Sequence, residues 1–392
     1  MTLMSARSRL FVALVSTGLV GFIAAGSLLS RVMGDTSYGQ LTIFSEVVRI
    51  VLLSYVEPVN LDRAMGGARL GLTEALDGDS GYLDAEAFKA YGQPARETAA
   101  DVGLVLTRRF SYLMVVSVRP GSPAEKAVMK AGDVIKALDG KHSHPLAAAV
   151  GQRLLRGEPG STLKLTILRR GTDPIEMSLV RERLLPLPVK GKLVEPGIGQ
   201  LRVAEFGARS AAEAKGEIDL LKRQGVKKLV LDLRSAGFGA PADGIKVAEL
   251  FLKTGVVTKL SGAKFEEQVF SVESGKPAWD GPLAVLVDSG TAGPGEIVTG
   301  ALLEAGRPVV GRHTFGRAAI QKAVAFDDGS GLVVTVARYS TPKGDLIHGK
   351  GLEPTVTVAK PDEDEEDEGT EARDLALDKA IEILKAETKK PA

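Results

Sequence analysis

The chain has 392 residues, long enough for two or three domains that each bury a core. Apolar residues make up 44%, charged residues 25% and the formal net charge is +1, which suits a globular protein and leaves no bulk field or basic stripe for nucleic acid. Cysteine is absent, which excludes disulfides, thiolate metal sites and a cysteine nucleophile, and His142, His144, His313 and His348 form no HExxH-type pair, so neither metal nor cofactor is expected.

Arg7 and Arg9 precede an uncharged run from Leu10 to Ser30, closed by Arg31. About twenty such residues span a bilayer core of roughly 30 Å. The basic flank should remain cytoplasmic. Residues 1–34 are therefore expected to be a single-pass anchor in the inner (cytoplasmic) membrane, with the bulk of the chain in the periplasm or outside the cell. A cleaved signal peptide, cut near Ala24, Ala25 and Gly26, is the rival reading.

Residues 35–98 read as a helical region. Ile43, Val47, Ile50 and Val51 make one apolar face, and Pro58 stops that helix by pushing the residue before it out of the α region. A second helix from about Leu61 to Leu76 should end in the turn Asp77 to Leu83, whose Asp-Gly-Asp spacing lacks the full calcium-loop ligand pattern. From residue 99 to 183 the period becomes strand-like. Short β-rich runs at Val102–Leu106, Leu113–Val118, Val134–Leu138 and Leu163–Leu168, with helices after Pro120 and over Ala147–Leu155, predict a small β-barrel with two helices.

Residues 184–360 alternate strand and helix, which predicts an α/β layer domain. Within it, the apolar strand Leu283–Val287 enters a turn rich in Gly, Thr and Pro, then a helix over about Glu296–Glu304, a strand Pro308–Gly311 and the loop HTFGR. A strand, a tight glycine-bearing turn and a helix N-terminus are the setting in which hydrolases place a nucleophile. Yet no serine stands where it is wanted. Residues 361–392 hold an acidic run, Asp362 to Glu368, and a last helix whose Leu377, Ile381 and Leu384 should pack back on the body.

Several strings in this order carry a family likeness: FSEVVRIVLLSYVEPV, DVGLVL, RPGSPAEKAVMKAGDVIKALDG, LLRGEPGSTLKLTILRRG, VLDLRSAGFGAPADGIKVAELFL, the 283–322 stretch and YSTPKGDLIHGKGLEP. The chain resembles the carboxy-terminal processing (tail-specific) peptidases of serine peptidase family S41. The resemblance implies a multidomain α/β protein: a crotonase-like peptidase core, a helical lead-in and a PDZ domain. It also implies a Ser–Lys dyad, an oxyanion hole of backbone N–H groups, and a glutamine that orients the lysine. The PDZ domain would bind protein or peptide C-termini through its first loop and strand, here Val102, Gly103, Leu104 and Val105, although Asp101 stands where the usual motif has glycine.

Laid on this sequence, the family string G-S-A-S-A-S-E-I falls on Gly290 to Ile297 and puts Gly293 at the nucleophile position. T-F-G-K-G falls on Thr314 to Ala318 and puts Arg317 at the general-base position, with the glutamine retained as Gln321. Phe238, beside Gly239, falls where an oxyanion-hole glycine is usual. Glycine cannot form an acyl-enzyme, and arginine cannot be deprotonated at working pH. The first reading is an exported, anchored pseudopeptidase that binds C-termini or regulates envelope proteolysis, as a homo-oligomer or beside an active relative. The alternatives are an active peptidase with a relocated nucleophile (Ser289 or Thr291, with Lys322 or His313 as base) and a purely structural envelope protein.

Overall fold

The computed structural model describes residues 38–93, 100–272, 275–359 and 374–387. The run Leu10–Ser30 and the acidic run 362–368 lie outside the described residues. Among the described residues no helix is long and apolar enough to cross a membrane. The chain up to Ala68 and the chain from Arg69 form two compact units. A helix described over 38–54 ends before Pro58, as the proline predicts, and a second helix, Leu61–Glu74, spans the division.

In the second unit, the central sheet has six strands in the spatial order Val356–Thr357, Val309–Gly311, Leu283–Val287, Lys228–Asp232, Ile198–Arg202 and Lys190–Glu195. All neighbours are parallel except the last pair. Because side chains alternate along a strand, the inner strands feed two cores. Leu229, Leu231, Leu283, Val285 and Val287 join the core beneath the helices Ser210–Arg223, Pro241–Glu249 and Pro294–Glu304. Val230, Ala284 and Leu286 face the other way, against Ala380, Ile381 and Leu384 of the last helix, Leu375–Glu387. That is the docking the apolar face of this helix predicts.

A second sheet runs Gly81–Leu83, Gly331–Ser340, Val256–Gly262 and Phe265–Ser271, with Ala319–Ala325 paired to the long strand Gly331–Ser340. Its first member corrects the sequence reading: Gly81–Leu83, expected within a turn, is a strand paired antiparallel to Gly331–Val333. The turn proper is made by Asp77, whose Oδ1 accepts the backbone N–H groups of Asp79 and Ser80. The barrel domain forms its own sheet, Leu104–Arg109, Tyr112–Val118, Val134–Leu138, Thr162–Leu168 and Ile175–Val180, with its own core. Among the described residues the strand Leu104–Arg109 has Tyr112–Val118 as its one strand partner, and on its other side the Arg108 N–H donates to the Gly78 carbonyl at 2.9 Å.

Candidate active site

The strand Leu283–Val287 leaves the central sheet at the Asp288 turn and enters the helix Pro294–Glu304 through Gly293. Gly293 has φ 52° and ψ −114°. A side chain is strained there, and this is the sharp strand-to-helix turn on which hydrolases expose a nucleophile. A Cβ added at Gly293 would meet only the Arg317 carbonyl, at 3.3 Å. Pro294 occupies the next position, the first of the helix, and proline has no N–H to donate. Pro294 carries this signal in its residue type alone.

Glu296 fixes the turn from inside the protein. Its fully buried carboxyl accepts the Gly293 N–H at 3.0 Å, the Thr314 hydroxyl at 2.5 Å, and the N–H groups of Gly316 and Arg317 at 2.6 and 2.8 Å. Burial pushes the Glu296 carboxyl above the usual carboxylate range, and these donors oppose that shift. One side chain thus holds the elbow residue and the HTFGR loop together, so Gly293 and Arg317, the two positions the resemblance singled out, are neighbours.

The Arg317 side chain turns toward the lead-in turn. Its Nε donates to Asp79 Oδ1 at 3.0 Å, and Thr107 Oγ1 of the barrel edge strand donates to the same oxygen at 3.0 Å. The Asp79 side chain is 3% exposed and that of Arg317 is 32% exposed. Asp79 Oδ2 and His348 Nδ1 are buried with no hydrogen-bond partner among the described residues. Burial pushes the His348 imidazole below the usual histidine range, against the charges of Asp79 and Asp77 and with those of Arg338 and Arg317. Gln321, on the strand Ala319–Ala325, donates through Nε2 to Thr335 Oγ1 at 3.3 Å, and among the described residues no hydrogen bond joins it to Arg317.

The loop after Asp232 passes the elbow. Asp232 binds Arg202 and Arg234, and Ser235, at φ 53°, donates its N–H to Asp288 Oδ1 at 2.8 Å. A Cβ on Gly295 would lie 2.4 Å from the Ala236 carbonyl, which is how closely this loop approaches the helix start. Phe238 and Gly239 then pair in parallel with Glu205 and Phe206. Gly239 needs its glycine: φ is 111° and a Cβ would fall 1.8 Å from the Phe206 carbonyl. From the barrel, the Ser117 hydroxyl donates to the Ser235 carbonyl at 2.9 Å.

The other nucleophile candidates are placed differently. Thr291 is fully buried, and its hydroxyl donates to the Leu233 carbonyl at 2.8 Å while accepting the Asp288 N–H at 3.0 Å. Lys322 is exposed on the strand next to Gln321, and His313 lies 3.6 Å from Glu353. His144 stacks edge-on against Tyr112 at 5.6 Å. Among the described residues no three His, Cys, Asp or Glu gather as metal ligands.

A parallel α/β core, an elbow at a strand–helix junction and an inserted barrel with an edge strand give the chain the architecture of the C-terminal processing peptidases. Residues 197–358 match peptidase family S41 and residues 100–176 match the PDZ domain. The chain is 30% identical over 360 residues to carboxy-terminal processing protease CtpA of Bacillus subtilis (strain 168), covering 90% of this chain and 76% of that protein. It is 32% identical over 336 residues to the carboxy-terminal-processing protease of Bartonella bacilliformis, covering 83% and 77%. The solved photosystem II D1 C-terminal processing protease superimposes with a TM-score of 0.68 at 29% identity, over 79% of this chain and 86% of that one. The chain belongs to peptidase family S41, as a homologue of its C-terminal processing proteases, and carries a PDZ domain.

Proposed function

We propose that this chain is a pseudopeptidase: an exported, membrane-anchored S41 homologue that binds protein C-termini through its PDZ domain and does not cleave them. One observation carries the reading. The chain turns sharply from strand into helix at Gly293, φ 52° and ψ −114°, the kind of turn on which hydrolases expose a nucleophile, yet the residue there has no side chain to attack a carbonyl. Two further features point the same way. Hydrolase elbows use the N–H of the residue after the nucleophile to hold the oxyanion, and here that residue is Pro294. An arginine stays charged and cannot act as general base, and Arg317 is committed to Asp79. The relocated-nucleophile alternative draws no support from Thr291, whose hydroxyl is buried and bonded on both sides.

Binding in place of cleavage gives the protein a role at protein C-termini in the envelope, alone, as a homo-oligomer or beside an active relative. An active-site-directed fluorophosphonate tests the chemistry. The purified full chain is expected to remain unlabelled, and covalent labelling of Ser289 or any other cleft hydroxyl would overturn the reading. The anchor is tested by extraction at alkaline pH. The full chain should stay with the membrane, and a chain lacking residues 1–34 should not.

A further inference from the structure

Part of the free side of the PDZ edge strand is already hydrogen-bonded. Along Leu104–Arg109, Gly103 and Val105 face the neighbouring strand, where the Arg119 N–H donates to the Gly103 carbonyl and Val105 registers with Ser117. Leu104 and Leu106 therefore turn their backbone groups to the open edge, since alternate residues share an edge. An added peptide strand would donate to the Leu104 carbonyl and accept from the Leu106 N–H.

Both groups are taken by one side chain. Gln152, on the helix Ala148–Leu154, donates through Nε2 to the Leu104 carbonyl at 2.9 Å and accepts the Leu106 N–H through Oε1 at 2.9 Å. A carboxamide offers one donor and one acceptor side by side, as a peptide group does. At the head of the strand the same substitution recurs with a charge. Asp101 Oδ1 accepts the Gly103 N–H at 2.8 Å, where an incoming terminal carboxylate would sit. The other Asp101 oxygen lies 3.4 Å from Arg156 Nε. Gly103 has φ 85° and a Cβ there would press on Ser122 at 2.2 Å, so the loop that presents this N–H is fixed in shape.

We propose that Gln152 and Asp101 are built-in occupants of the peptide groove. A free C-terminus enters only by displacing both, and Arg156, released from Asp101, pairs with the incoming carboxylate. This rests on the reading of the PDZ domain as a C-terminus binder and deepens it. It makes Gln152 and Asp101 the residues that set the threshold for binding, and Arg156 the one that reads the terminal charge. Peptides that pair poorly with the strand do not repay the bonds they break, so the groove favours extended termini with a free acid over amidated ones.

The test uses the full chain and two readouts. The first is amide hydrogen exchange without peptide. Gln152→Met, near-isosteric but unable to make either bond, should speed exchange at Leu106 by about tenfold or more, and Asp101→Gly should do so at Gly103. The second is fluorescence anisotropy with a pool of labelled octapeptides ending in Ala, Val or Leu, as free acids and as amides. Each variant should bind the acids about threefold to tenfold more tightly than wild type, and adding Arg156→Gln to Asp101→Gly should cancel the gain for acids only. Unchanged exchange in both variants, or equal or weaker binding by both where wild type binds, overturns the inference and leaves C-terminus binding standing. Faster exchange with no binding of any free acid by wild type or variants overturns the C-terminus reading itself, and the displacement proposal falls with it.

Discussion

Arg317 Nε lies 3.0 Å from Asp79 Oδ1, which joins the residue at the general-base position to a turn 238 positions earlier in the chain. Thr107 of the PDZ edge strand shares that oxygen, so Asp79 ties together the turn that follows the Leu61–Glu74 helix, the PDZ domain and the HTFGR loop. Breaking a buried pair by removing one partner costs about 3–5 kcal/mol, and the 32% exposure of the Arg317 side chain lets water take up part of that loss. Asp79→Asn should therefore lower stability by about 2 kcal/mol in chemical denaturation. A double-mutant cycle with Arg317→Gln should give a coupling of about 1 kcal/mol or more, and a coupling below about 0.3 kcal/mol would show the pair to be incidental.

His348 gives the protein a pH dependence near neutrality. Burial holds its imidazole below the usual range, so the folded protein prefers the neutral ring. For a histidine depressed in this way, the stabilisation is fully present above the ordinary value of 6.5 and declines as pH falls from there toward the folded value. Denaturation midpoints should drop more between pH 7.5 and 5.5 for wild type than for His348→Asn. Equal drops would remove His348 from the explanation.

Asp232 acts lower on the pH scale. Burial alone would raise its carboxyl, but the Arg234 hydrogen bond and the charges of Arg202 and Arg234 hold it below the ordinary 3.8. Its contribution is present above that value and is lost as pH falls through the folded value, so Asp232→Asn should show a shallower loss of stability below about pH 4 than wild type. A variant whose acid limb overlays that of wild type would contradict this.

Gly293→Ser tests the elbow as a backbone feature. The added Cβ meets only the Arg317 carbonyl, so the variant should fold. The positive φ should cost about 1–2 kcal/mol relative to glycine, read as a lower denaturation midpoint with an unchanged slope. A loss above about 4 kcal/mol would mean that the turn has no room for a nucleophile.

Much of this was legible in the sequence because it is local. The apolar run Leu283–Val287 is a strand with those bounds, and the helix that follows starts at Pro294, two residues earlier than its charged and apolar pattern suggested. The Leu377, Ile381 and Leu384 face predicted the docking of the last helix. The strands Val256–Gly262 and Phe265–Ser271 have no clear sequence signal, since Val256–Gly262 mixes apolar and polar residues and Phe265–Ser271 is largely exposed. The site was legible only where a motif spells it out. Nothing near Arg317 in sequence points to Asp79, and nothing near Leu104 points to Gln152, because both pairings are made by the fold. Pro294 is the opposite case: its missing N–H follows from residue type alone.

Turnover by the wild-type chain measures most directly whether this S41 homologue binds peptides without cleaving them. Octapeptides with apolar C-termini should be hydrolysed by the wild-type full chain no faster than in buffer. The comparison series is Gly293→Ser with Arg317→Lys, and the same pair with Pro294→Ala. If the missing N–H matters as argued, any cleavage should be greater in the triple variant than in the double. Wild-type hydrolysis above the buffer rate, abolished by Ser289→Ala or Thr291→Val, would contradict the account.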